Sequence, residues 1–161
     1  MMSFRLVLAS PVVALVIALL PAGASAHDYK LGSLEISQPW ARATAPTAPA
    51  GGGYLAITNK GTTPDRLVSA SSPAAQTVQV HEMKMEGNIM RMREVEHGLE
   101  IAPGATVKLA PGGLHLMMMG LKGPFKQGTT VPVTLVFEKA GRIDVELDVG
   151  GMGATQAPND K

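Results

Sequence analysis

From residue 27 onward the chain alternates between apolar and polar positions in short runs. Val131, Val133, Leu135 and Phe137 alternate with polar or small neighbours, and Ile143, Val145, Leu147 and Val149 repeat the pattern. A period of two puts the apolar members on one face of a β-strand. The same reading predicts strands at 34–37, 39–43, 54–59, 66–71, 76–85, 89–95, 106–109, 114–119, 130–139 and 142–149. Residues 44–53 (TAPTAPAGGG) read as a Pro/Gly-rich loop, and Asn59-Lys60-Gly61, Gly87-Asn88 and Ala140-Gly141 as turns. No segment offers a convincing amphipathic helix. Many short strands separated by turn residues argue for an antiparallel sandwich or barrel. Trp40, the only tryptophan, is expected to plug its core.

The first 26 residues follow a different pattern. Arg5 supplies a positive start, Leu6 to Leu20 is apolar apart from Ser10 and Pro11, and Ala24-Ser25-Ala26 is a small-residue cleavage site. This is the layout of a signal peptide, and the stretch is shorter than the ~20 apolar residues a spanning helix needs. No cysteine follows the small residues, which argues against a lipid anchor. The reading is therefore a signal peptide over 1–26, one β-sandwich domain over 27–149, and a flexible C-terminal tail over 150–161. The exported product would reside in the periplasm.

Composition narrows the function. Beyond residue 26 the chain carries 13 basic and 13 acidic residues, so it lacks the basic footprint of a nucleic-acid binder. With no cysteine it gains no disulfide in an oxidising compartment and must rely on an ordinary apolar core. Nucleophile–base pairs, paired carboxylates and phosphate loops do not stand out. Gly51-Gly52-Gly53 is weak as a phosphate cradle, because no helix evidently follows it.

Methionine and histidine carry the chemistry. They read His81-x-Met83-x-Met85, Met90-x-Met92 and His115-x-Met117-x-Met119, all within strand-like segments. Alternation points each run to one side of a sheet. Thioether sulfur is soft and selects Cu(I), while imidazole suits several metals. A single methionine in a strand is more often core filler than ligand, because it packs into irregular gaps. Here seven of the eight methionines beyond the leader fall within residues 83–119, and gap-filling explains such clustering poorly. A hairpin at Gly87-Asn88 would fold Met90 and Met92 back beside Met83 and Met85. The strand of His115 and Met117 must be brought in by a longer connection. By alternation Met118 should enter the core, with Met83, Met85, Met90 and Met119 left to flank a site, pack or form a docking patch. His97, beside the turn-like Gly98, reads as a surface residue.

The stretch from His81 through Met92 to His115-Leu116-Met117 resembles the signature of PCuAC-type periplasmic copper chaperones. Ten residues separate His81 from Met92, as in that family, and 22 separate Met92 from His115, one more than is usual there. The loop around Ala102-Pro103-Gly104 is the expected position of the extra residue. Gln38-Pro39-Trp40-Ala41-Arg42-Ala43-Thr44, Gly52-Gly53-Tyr54-Leu55-Ala56-Ile57-Thr58-Asn59 and Pro111-Gly112-Gly113-Leu114 extend the likeness over most of the chain. The resemblance implies a cupredoxin-like Greek-key β-sandwich or barrel, a monomer, holding one Cu(I) through His81, Met92, His115 and Met117. It implies a carrier rather than an enzyme, delivering copper to an accepting protein such as a cytochrome c oxidase subunit or another copper assembly factor.

Two neutral imidazoles and two thioethers suit a closed-shell monovalent ion, whereas Cu(II) prefers N/O donors in tetragonal geometry. Blue-copper electron transfer needs a cysteine thiolate and is disfavoured. Two other readings compete. His27, if exposed as a mature N-terminus, offers an α-amino group and an imidazole for Cu(II), and with a second histidine could anchor a copper-dependent redox enzyme. Alternatively the methionines are core, and the chain is a structural β-sandwich.

Overall fold

A computed structural model describes residues 27–158. The expected leader and residues 159–161 lie outside the described residues. No helix forms among the described residues. Eleven strands follow in order: β1 (Tyr29–Leu31), β2 (Leu34–Arg42), β3 (Ala50–Asn59), β4 (Asp65–Ser71), β5 (Ala75–Glu86), β6 (Ile89–Glu94), β7 (Leu99–Ile101), β8 (Thr106–Leu109), β9 (Leu114–Leu121), β10 (Thr130–Phe137) and β11 (Gly141–Gly150).

Seven of these close on themselves in the order β2-β11-β10-β4-β5-β9-β3, with β3 returning to β2. Closure removes the open edges that a flat sheet would expose. The barrel is mixed, because β11 runs parallel to β2 through Trp40, Ala41 and Arg42 while the other pairings are antiparallel. β1, β6, β7 and β8 are additions to single barrel strands. The all-β class expected from alternation holds. The crossover that inserts β9 between β5 and β3 brings the distal His-x-Met strand against the hairpin strand.

The core follows the alternation. Val131, Val133, Leu135 and Phe137 of β10 and Val145, Leu147 and Val149 of β11 are buried together with Leu34, Ile36, Leu55, Ile57, Leu116 and Met118. At about 25 cal/mol per Å² of apolar surface removed from water, each such side chain contributes about 1.5–3 kcal/mol. Polar groups among them are satisfied. Asn59 Nδ2 donates to Thr63 O and Ile101 O, at 2.8 and 3.1 Å, while its Oδ1 accepts from Gly61 N. Asp65 accepts from the backbone N–H groups of Arg66, Lys139 and Ala140 at 2.7–2.9 Å, tying β4 to the β10–β11 turn.

Three expectations change. The segments at 34–37 and 39–43 form one strand, interrupted by a bulge: Ser37 opposes Ala56 and Trp40 opposes Tyr54, so Gln38 and Pro39 together face only Leu55. Gln38 has φ of 49°, and proline cannot donate to the ladder, so the pair suits a bulge. The extra residue flips the phase of the strand. Leu34 and Ile36 point inward, but beyond the bulge it is Ala41 that enters the core. Trp40 is buried, as expected, but on the outer side and outside the main apolar cluster, its ring 4.6 Å from that of Tyr54.

Second, the expected loop at 44–53 stops early, because β3 begins at Ala50. Gly51, Gly52 and Gly53 pair with Met118, Met117 and Leu116 of β9. Their bareness is required by close neighbours: an added Cβ would lie 2.8 Å from the Phe125 ring at Gly51 and 2.9 Å from Leu147 at Gly53. Third, the short strands β1 and β7 carry too few residues to show a period. Residues 151–158 form turns and bends beyond β11, and Arg42 Nε donates to Ala154 O at 2.7 Å.

Candidate metal site

Alternation builds the site on the outside of the barrel. On β9, Leu116 and Met118 are turned inward, so His115 and Met117 face out. His115 lies opposite His81 of β5, and Met117 opposite Gln79 on one side and Gly52 of β3 on the other. From His81, every second residue of β5 shares that face, which adds Met83 and Met85. The two-residue turn Gly87-Asn88, with Gly87 at φ 64°, returns β6 so that Met92 opposes Met83 and Met90 opposes Met85. From the other side, the phase flip in β2 brings Trp40 and Arg42 onto the same outer face as Tyr54 and Gly52.

These walls enclose a cleft of about 280 Å³ lined by Arg42, Tyr54, Met83, Met92, His115 and Met117, with a floor of glycine at 51 and 52 and Gly112 at the rim. Gly52 opens it, since a Cβ there would stand 2.7 Å from the Tyr54 hydroxyl. The Arg42 guanidinium lies over the Tyr54 ring, 5.9 Å from its centroid. Burial, partly opposed by the Arg42 charge, raises the Tyr54 phenol above its ordinary value, so it stays a neutral donor.

Three of the four expected ligands, Met92, His115 and Met117, line this cleft. His81 does not, but its ring lies 5.9 Å from that of His115, edge to face at 62°. His115, though on the outer side, is only 7 % exposed. Its Nδ1 is 3.0 Å from Gly113 O; a carbonyl only accepts, so Nδ1 carries the proton and Nε2 keeps a lone pair. Gly113 O also accepts from Met83 N at 3.2 Å, which locks the loop before β9 onto β5.

His81 is set by the opposite nitrogen. Its Nε2 is 3.0 Å from Gln79 Oε1, so Nε2 is the donor and Nδ1 the bare acceptor. That Nδ1 is the one buried side-chain nitrogen or oxygen without a hydrogen-bond partner among the described residues. Burial, then the neighbouring His115, hold the His81 imidazole below its ordinary value, against the pull of Glu94. This buried, unpartnered and neutral imidazole nitrogen lies beside a second imidazole and has a lone pair free to accept a partner. Among the described residues no group of three or more His, Cys, Asp or Glu side chains could hold a metal ion. The further donors that line the cleft are the thioethers of Met83, Met92 and Met117.

Met83 shares the cleft as fully as Met92. Its cross-strand pairing with Met92, visible in the Gly87-Asn88 turn, was the signal for it. Arg42 and Tyr54 were not singled out from the sequence, and only the bulge in β2 explains Arg42 reaching the site. Met85 and Met90 stand beyond the cleft and are exposed, and Met119 is half-buried elsewhere on β9. Met118 is fully buried, as expected, and His97 is exposed in a turn. His27 is exposed beside Tyr29, 6.4 Å between ring centroids, and lines no part of the cleft.

Residues 34–149 match the family described as putative lipoprotein LpqE-like. The chain belongs to the LpqE-like family. A curated relative in Leifsonia xyli subsp. xyli, named putative lipoprotein Lxx21020, is 34% identical over 151 residues, 90% of each chain. Among solved structures, the copper-bound PCuAC domain from PmoF2 superposes with a TM-score of 0.67 at 29% identity, over 78% of this chain and 98% of that one. The Cu(I) form of DR1885 from Deinococcus radiodurans gives 0.57 at 29% identity, over 80% of this chain and 83% of that one. This LpqE-like chain thus has the PCuAC fold, and the resemblance read from its strand motifs holds at the level of the family. Both of those neighbours were solved with copper bound.

Proposed function

We propose that this protein is an exported copper carrier that binds one Cu(I) through His81, Met92, His115 and Met117. The observation that carries the reading is the pairing of the two imidazoles, whose ring centroids are 5.9 Å apart. Each imidazole has one nitrogen held by a protein carbonyl oxygen and the other bare, and the bare nitrogens belong to adjacent rings next to thioethers. Such a donor set is neutral and needs no deprotonated ligand, and its thioethers cannot form disulfides, so it suits an oxidising compartment. Soft sulfur with imidazole favours Cu(I) over Cu(II), Zn(II) or Mg(II). A cleft open to solvent permits ligand exchange with an accepting protein, in keeping with carriage rather than catalysis.

The recipient is a copper enzyme of the exported compartment, with cytochrome c oxidase or one of its assembly factors as the expected acceptor. Both the family and the Leifsonia relative carry "putative lipoprotein" in their names. These 161 residues contain no cysteine to take a thioether-linked lipid, and no helix among the described residues is long and apolar enough to cross a membrane. Export through the leader-like segment at 1–26 supports a periplasmic location.

The test is an anaerobic Cu(I) titration against a chromophoric chelator, run beside a His115→Ala/Met117→Ala variant. Binding of one equivalent, lost in the variant while its fold persists, supports the site. A folded wild-type protein that takes no Cu(I) from the chelator overturns it.

A further inference from the structure

The cleft accounts for Met83, Met92 and Met117, but it leaves two methionines on the same face unexplained. Met85 and Met90 oppose each other one rung beyond the Met83–Met92 pair. Side chains paired across a ribbon have Cβ atoms about 4.5–5.5 Å apart. Successive rungs on one face are about 7 Å apart along the strand. Each methionine has three rotatable bonds beyond its backbone, so four sulfurs on two adjacent rungs can converge on one ion.

Packing does not explain the outer rung. Met85 is 59% exposed and Met90 48%, so neither fills a gap. The opposite face of the ribbon is occupied by charge: Arg91 pairs with Glu86 at 3.1 Å, and Arg93 with Glu82 and Glu86 at 3.8 and 3.9 Å. Those pairs put the ribbon's charges on the face away from the methionines. The methionine face therefore presents four thioethers, and past the base of the ribbon at Glu94, opposite His81, no charged group interrupts them.

We propose that Met83, Met85, Met90 and Met92 form a second, all-thioether site for Cu(I) on the β5–β6 ribbon, contiguous with the cleft through Met83 and Met92. The assignment of copper rests on the copper reading of the cleft; the site itself follows from the register and exposure of the four methionines. Met92 is a ligand of the cleft site and also closes the ribbon set, while Met83 lines the cleft without being one of its four ligands, so with the cleft filled the second ion rests on Met83, Met85 and Met90. An ion can therefore pass between cleft and ribbon by exchanging one thioether at a time, without leaving sulfur. The outer rung is the part of the path that an accepting protein can reach.

The test uses the protein labelled with ¹³C at the methionine methyl groups and titrated with Ag(I), a closed-shell monovalent stand-in for Cu(I). The first equivalent is expected to move the Met92 and Met117 methyl signals. The second is expected to move those of Met85 and Met90, and to be lost in Met85→Leu/Met90→Leu, which keeps an apolar surface but removes the sulfur. That variant should bind the first equivalent as the wild type does. Met85 and Met90 signals that stay put through the second equivalent overturn the ribbon site, as does a second equivalent retained by the leucine variant. A Met117 signal that never moves overturns the cleft reading instead, and the Met85 and Met90 signals still decide the ribbon. Both ribbon signals are read in the wild type, so the outcome does not depend on the variant folding.

Discussion

Met117 and Met118 are neighbours on β9 and do opposite work. Met118 points into the barrel, is fully buried, and touches the floor under Gly53, where a Cβ would come within 3.1 Å of its methyl group. Met117 points out into the cleft, half-buried, on the same face as His115. One side of the strand uses methionine for its shape and the other for its sulfur. The contrast separates two quantities usually measured together: the stability of the apo fold, which the inner side should control, and affinity for a soft metal, which the outer side should control.

The largest effect on unfolding free energy is expected inside. Met118→Ala leaves a cavity in a closed barrel and should cost about 2–5 kcal/mol, read as a lower midpoint in denaturant for the apo protein. Its Cu(I) affinity should change little wherever the fold persists. If Met118→Ala weakens Cu(I) binding in still-folded protein as much as a ligand variant does, the two sides of β9 are coupled and the division fails.

Asp65 tests the scaffold from a position that carries no metal chemistry. Burial raises its pKa, but the N–H groups of Lys139, Arg66 and Ala140 and the Lys139 charge outweigh that, so the net shift is downward. Asp65→Ala should cost about 2–3 kcal/mol, because charged hydrogen bonds are lost and buried donors are left unmade. The sign of the pH dependence follows from the depressed value. The contribution is present in full above the ordinary carboxylate value of 3.8 and drains away as pH falls through the lower folded-state value. Urea unfolding of wild type and variant across acidic pH should converge at the low end, and parallel curves would remove Asp65 from the account.

The two sides of the wall were not equally legible in the sequence. Inward residues of β10 and β11 repeat with a clean period of two, so the all-β class and the fate of Met118 could be read directly. The His/Met runs were legible for the same reason, and a two-residue turn set Met92 against Met83. The burial of Trp40 was legible from its being a lone tryptophan, but its side was not, because only the bulge at Gln38-Pro39 takes it out of phase with Leu34 and Ile36. The strand through Gly51–Gly53 was hidden because glycine has no side chain to show a period, and its composition signals a loop. The parallel closure of β11 on β2 depends on contacts across more than a hundred residues, which no local window contains.

Gly52 sits where the outer side meets the floor, and a methyl group there probes the cleft's shape alone. Gly52→Ala would put Cβ 2.7 Å from the Tyr54 hydroxyl. The Tyr54 ring cannot swing freely, since Trp40 packs 4.6 Å away and Arg42 lies over it. Overpacking of this kind costs about 1–3 kcal/mol and should shift the environment-sensitive fluorescence of Trp40, the only tryptophan. An unchanged midpoint and spectrum would mean that the tyrosine is not held as described.

The smallest effect on stability is expected from Met117→Leu, and it is the sharpest test of the division. The two side chains are close in volume, so the apo protein should lose less than about 1.5 kcal/mol. What disappears is one sulfur, and with it a donor that no neighbouring carboxylate or cysteine can replace. Cu(I) affinity in chelator competition should fall by at least about tenfold, equivalent to about 1.4 kcal/mol. Met118→Leu, one residue away, removes a sulfur of the same kind from the inner side and should leave that affinity unchanged. Equal losses from both leucine variants would mean that copper responds to packing in β9 rather than to the thioether facing the cleft.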